Sequence, residues 1–131
     1  MRLIRTESAP APVAGAPYSQ AVAAGPGELV FVSGQVPGDP ATRALVDGDV
    51  AGQTRLLLAH VAAILAEAGA SLADVARTTV YLRDLGADFP AMNAAYAEAF
   101  GGHAPARATV GVAALPLDAR VEIDAVAVIP A

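Results

Sequence analysis

The stretch from Val50 to Ala68 most limits what this chain can fold into. Val50, Thr54, Leu57, Leu58, Val61, Ile64, Leu65 and Ala68 recur at helical spacing, and Gly69 follows as a stop. Such a stripe makes one side of a helix apolar, and that side must lie on a sheet. A second stripe, Phe89, Met92, Tyr96 and Phe100, runs up to 101-GG-102 and predicts a second helix. Both helices can cover one sheet face, which leaves the opposite face for something else.

The strands announce themselves by alternation and β-branching. A short first strand is expected around Arg2 to Arg5, followed by a loop over 7-ESAPAPVAGAP-17, where Pro, Ala and Gly prevent a regular ladder. The run 18-YSQAVAAG-25, the turn 25-GPGE-28 and the run 29-LVFVSG-34 predict a hairpin. The segment 35-QVPGDPATRALVDGD-49 reads as a long surface loop that leads to a helix capped at Asp47 or Asp49. A Ser-led turn, 71-SLAD-74, precedes the strand 75-VARTTVYLRDL-85, and the last two strands are 105-PARATVGVAALP-116 and 121-VEIDAVAVIP-130. The order ββ–α–β–α–ββ is an α+β layout. It gives one mixed sheet with two helices on one face, in a single domain over residues 1–131, since this length leaves no room for a second core.

Composition excludes several functions. With no cysteine there is no disulfide, thiolate metal site or cysteine nucleophile. His60 and His103, without Cys or paired acids nearby, make no metal site and read as surface histidines. The glycines of 25-GPG-27 and 33-SGQVPG-38 do not match a phosphate loop. No run reaches the apolar length of a spanning helix, so the chain reads as soluble and cytoplasmic. A net charge of −5, with eight scattered arginines and no lysine, argues against a nucleic-acid surface. A hydrophobic fraction of 55% in so short a chain predicts a homo-oligomer, with the spare sheet face buried against neighbouring copies.

Charges sit inside the last strands. Val121, Ile123, Ala125 and Ala127 fall on one side, and Glu122, Asp124, Val126 and Val128 on the other. Arg107 and Thr109 share a face of the preceding strand, so if the two strands are neighbours Arg107 and Glu122 could border one pocket. The residues alone favour strand-end charges or surface ion pairs, with Tyr18 a core-edge aromatic and Asn93 an exposed helix residue.

Taken together, 7-ESAP-10, 17-PYSQAV-22, 31-FVSGQVP-37, 77-RTTVYLRDL-85, 88-DFPAMNAAYAEAF-100, 105-PARATV-110 and 121-VEIDAVAV-128 resemble, in order and spacing, the RidA (YjgF) family of reactive intermediate deaminases. The resemblance implies a chorismate-mutase-like α+β fold assembled as a homotrimer, with the sheets as an inner barrel and ligand sites in clefts between subunits. It implies hydrolysis of small 2-imino acids, such as 2-iminopropanoate and 2-iminobutanoate, to 2-keto acids and ammonia, with no metal and no organic cofactor. On that resemblance Arg107 grips the substrate carboxylate and Glu122 holds the attacking water. The Thr109 backbone carbonyl faces the imine nitrogen, Tyr18, Ser33, Gly34, Phe89 and Asn93 line the cleft, and Asp124 supports. Ala16 stands where the family usually has Gly, the loop 11-APVAGA-16 is longer, and Thr109 replaces a frequent cysteine. A pathway-specialised enzyme acting on another imine or aminoacrylate, a ligand-binding or chaperone-like trimer, and an RNA-directed role are the alternatives.

Overall fold

A computed structural model describes residues 1–131. The predicted helices form as α1 (Val50–Glu67) and α2 (Leu85–Phe100). Asp49 caps α1 by accepting a hydrogen bond from the Gly52 amide at 2.8 Å, and Asp84 caps α2 by accepting from the Ala87 amide at 3.1 Å. Each cap satisfies an amide that the first helical turn would otherwise leave unpaired. Both helices end where a glycine takes a left-handed conformation, Gly69 at φ +77° and Gly101 at φ +62°.

The strands are β1 (Arg2–Ile4), β2 (Ala21–Ala23), β3 (Gly27–Gln35), β4 (Val75–Leu82), β5 (Ala106–Gly111) and β6 (Val121–Pro130). Four of them make a mixed sheet in the order β3-β6-β4-β5, in which only β4 and β5 run parallel. A parallel pair needs a crossover, and α2 supplies it. Leu57, Leu58, Val61 and Leu65 of α1 join Met92, Tyr96 and Phe100 of α2 over Val80, Leu82, Val121, Ile123, Ala125 and Ala127 of the sheet. Replacing a fully buried leucine such as Leu57 with alanine would cost about 3 kcal/mol in a core packed this way.

Three expectations need correction. The hairpin does not form: β2 pairs with β1, Leu3 opposite Val22, while β3 pairs with β6, Leu29 opposite Val128. A three-residue strand offers few ladder bonds, whereas β6 matches nearly the whole length of β3. The turn at Gly25 therefore moves the chain from one pair to another. Gly27 is required there, since a Cβ would strike the Ile129 carbonyl. Second, the strands fall into a two-stranded pair and a four-stranded sheet, linked by a bridge between Ser19 and Ala106, rather than a single sheet. Third, β5 and β6 are not neighbours, because β4 lies between them.

The face away from the helices carries large apolar side chains in the open. Phe31 is 72% exposed and Leu29 55%, with Val110 also exposed. Within α1, Ile64 is also exposed although its spacing suggests the buried stripe.

Candidate active site

Arg107 lies on edge strand β5 opposite Thr78 of β4, and Thr78 is opposite Ala125 of β6. Directly opposed residues share a face, so Arg107 points to the helix side. There its guanidinium meets a pocket built from aromatic rings. The carbon at its centre stands 4.8 Å from the Tyr96 ring centroid, 5.2 Å from Tyr18 and 5.9 Å from Phe89. The negative ring faces attract the cation. Its Nη2 donates to Asn93 Oδ1 at 2.6 Å, so Asn93 is a half-buried partner of the arginine rather than an exposed helix residue.

Tyr96 is completely buried, and its hydroxyl pairs with that of Thr78 at 2.7 Å. Burial pushes its pKa up to about 12, with the Thr78 hydrogen bond and the Arg107 charge pulling the other way. It is therefore a neutral ring at physiological pH. Burial lowers the Arg107 pKa from the ordinary guanidinium value, opposed by Tyr96 and Tyr18. A guanidinium nonetheless stays cationic near neutrality. No carboxylate pairs with it. Its Nε and Nη1 are buried without a hydrogen-bond partner, as is the Thr109 hydroxyl. A half-buried guanidinium without an acid partner has the planar charge that suits a planar anion.

This group opens on a cleft of 630 Å³ walled by Val13, Tyr18, Leu85, Phe89, Arg107 and Thr109. Tyr18 is more than a core-edge aromatic: its hydroxyl accepts a hydrogen bond from the Val13 amide at 2.9 Å.

Glu122 is elsewhere. It stands opposite Tyr81 of β4, one residue out of phase with Thr78 and Val80, and so faces the open side of the sheet. Within one chain Arg107 and Glu122 therefore lie on opposite faces, and the strand adjacency that would let both border one pocket of the chain does not form. The cause is the intervening strand, whose register fixes the parity of both neighbours. Ser33 and Gly34 accompany Glu122: the β3 ladder bulges between Val32 and Gln35, which carries these two residues against the end of β6. A Cβ on Gly34 would overlap the Glu122 carboxylate, so glycine is what lets the backbone approach it. Burial, and then the charge of Asp124, raise the Glu122 pKa above the ordinary carboxylate value. Asp124 accepts a hydrogen bond from the Tyr81 hydroxyl at 2.9 Å, which holds the Tyr81 pKa up.

The candidate residues thus fall into two groups: Tyr18, Phe89, Asn93, Arg107 and Thr109 on the helix side, and Ser33, Gly34 and Glu122 on the open side. Sequence reasoning passed over Tyr96, counted only as a core residue, and Tyr81, whose alternation with Thr78 was its available signal. The histidines also differ from expectation. Both are half-buried, with Nε2 on a backbone carbonyl: His60 on Gly38 at 2.8 Å and His103 on Val75 at 2.6 Å.

The family model described as Endoribonuclease L-PSP, that of the YjgF/RidA proteins, matches residues 6–129. The chain belongs to the RidA family. A RutC family protein of Pyrococcus horikoshii is 50% identical over 125 residues, covering 95% of each chain. A protein of Salmonella typhimurium named 2-iminobutanoate/2-iminopropanoate deaminase is 44% identical, covering 97% of each. A Rid family protein of Yersinia pestis, of unknown function, superposes with a TM-score of 0.86 at 32% identity, covering 98% of each chain. RidA relatives thus share this α+β arrangement of two helices on a mixed sheet. No helix of this member is long and apolar enough to cross a membrane.

Proposed function

We propose that this protein is a hydrolase that converts small 2-imino acids, such as 2-iminopropanoate and 2-iminobutanoate, to 2-keto acids and ammonia, working as a homotrimer whose sites lie between subunits. The observation that carries this reading is Arg107: a half-buried, ring-walled cation with no acid partner, on the wall of a cleft, is suited to a substrate carboxylate. The Salmonella relative's name supports the substrate class.

The separation of Arg107 from Glu122 favours assembly. No single copy can present both groups to one small molecule, but the open face of one copy can close the cleft of another. The exposed Phe31 and Leu29 on that open face are the kind of surface that oligomers bury.

In this reading the substrate carboxylate docks on the Arg107 guanidinium from the cleft, with the iminium carbon presented to the neighbouring copy's Glu122. Glu122, held near Gly34 and with a raised pKa, takes a proton from water as the oxygen adds to the C=N carbon. The tetrahedral adduct collapses as the nitrogen takes up protons and leaves. The balance is R–C(=NH2⁺)–COO⁻ plus H2O giving R–CO–COO⁻ plus NH4⁺. An iminium is already electrophilic, so orientation beside one water supplies most of what is needed, and no step calls for a metal or an organic cofactor. The Thr109 carbonyl facing the imine nitrogen belongs to the same proposal, as does a cytoplasmic location.

The family model's description names an endoribonuclease. A net charge of −5 without a lysine offers RNA no basic stripe, and the proposal excludes nucleic acid as the substrate. The test couples an amino-acid oxidase or threonine dehydratase to the protein and follows imine decay. Acceleration by the wild type and none by Arg107→Ala is expected. Equal acceleration by both would overturn the role of Arg107.

A further inference from the structure

We propose that Val13 determines which side chain the cleft accepts, selecting 2-imino acids with branched apolar side chains over those bearing only a methyl group. The inference rests on the deaminase reading for the identity of the ligand and adds a specificity residue to it.

Val13 is an apolar side chain 62% exposed on a loop that is tightly held. Ala14 and Gly15 both take left-handed conformations, φ +53° and +68°. Such a conformation is disfavoured for an alanine by roughly 1 kcal/mol and persists only where neighbouring contacts dictate it. Those contacts are present. The Ala16 amide donates to the Val13 carbonyl at 2.9 Å, the Tyr18 amide to the Ala16 carbonyl at 2.9 Å, and Ala16 itself is buried. The isopropyl group is therefore presented to solvent by a fixed backbone.

Tyr18 links this loop to the anion anchor. Its hydroxyl receives the Val13 amide while its ring lies against the Arg107 guanidinium. The distance from the carboxylate seat to Val13 is thus set by one rigid aromatic ring. Across the cleft stand Leu85, Phe89 and Pro90 from the first turns of α2. A substrate docked on Arg107 would extend its side chain between these walls and Val13. A polar side chain would lose its water there for little return, whereas each buried methylene should add about fourfold to binding.

The test measures ligand selectivity with and without chemistry. Calorimetric affinities for pyruvate and 4-methyl-2-oxopentanoate, the methyl and isobutyl 2-keto acids, are compared in wild type and Val13→Phe. The same pair is then compared as imines, generated in place by a D-amino-acid oxidase from D-alanine and D-leucine. The wild type is expected to favour the isobutyl member at least tenfold, and Val13→Phe, which fills the subsite, to abolish or invert that preference, through KM in the kinetic arm. An unchanged preference in Val13→Phe, or a wild type that favours the methyl member, would overturn the inference. If keto-acid selectivity follows Val13 while no imine is hydrolysed faster, the subsite stands and the deaminase reading falls.

Discussion

The two groups of candidate residues differ in how enclosed they are. On the helix side, Arg107 is held by three rings and an amide oxygen, with its partners supplied by α2 and the loop before β2. On the open side, Glu122 lies on the sheet face that farther along exposes Phe31 and Leu29, beside a bulge in β3 and an acidic neighbour. One group is enclosed by the fold of a single chain. The other lies on a sheet face open to solvent. The contrast teaches why the proposed assembly matters: under it, the apolar surplus of this sequence and its charged strand residues would share one explanation, a face buried between copies that also carries Glu122.

Perturbing the enclosed group should have the larger effects. Arg107→Ala removes the anion seat and should lower kcat/KM about a thousandfold, roughly 4 kcal/mol, as expected when a buried charge loses its partner. Steady-state kinetics on the coupled imine assay check this. Asn93→Ala removes a single hydrogen bond to that guanidinium; a loss of about tenfold in kcat/KM, with the melting temperature nearly unchanged, is expected from the worth of a charged hydrogen bond. A loss as large as that of Arg107→Ala would mean that the rings alone do not hold the cation.

The open group should respond in its pH dependence. Burial and the Asp124 charge both raise the Glu122 pKa. A base must be ionised to act, so kcat/KM should fall as pH drops through a value above the ordinary carboxylate range. Asp124→Asn removes the repulsion but not the burial, and should move that acid limb to lower pH by less than about one unit. A shift to higher pH would contradict the assigned cause.

Much of this was legible in the chain, for identifiable reasons. The helices are local objects: spacing, an aspartate cap and a stopping glycine lie within each segment, and Asp49, Gly69 and Gly101 behave as their residue types demand. Arg107, Glu122 and the residues around them stood out through their motifs. What could not be read was pairing. Nothing in 25-GPG-27 says that β2 turns to β1 and β3 to β6, and nothing in 121-VEIDAVAV-128 says that β4 separates it from β5. Because the registers of both strands with β4 decide which of their residues share a face, that nonlocal fact places Glu122 on the other side of the sheet from Arg107. Tyr96 escaped notice for a related reason, since a helix stripe reveals burial but not the cation above the ring.

The claim that one copy supplies the anion seat and another the base is tested most directly by subunit mixing. Arg107→Ala and Glu122→Gln, each inactive alone, are unfolded together at equal concentration and refolded, with mixed oligomers verified by mass. If each site draws its arginine and its glutamate from different copies, about one quarter of the sites in a random mixture are intact, and activity should return to about that fraction of wild type. Mixed oligomers that remain inactive would contradict the account, because they would mean that both groups must come from the same chain.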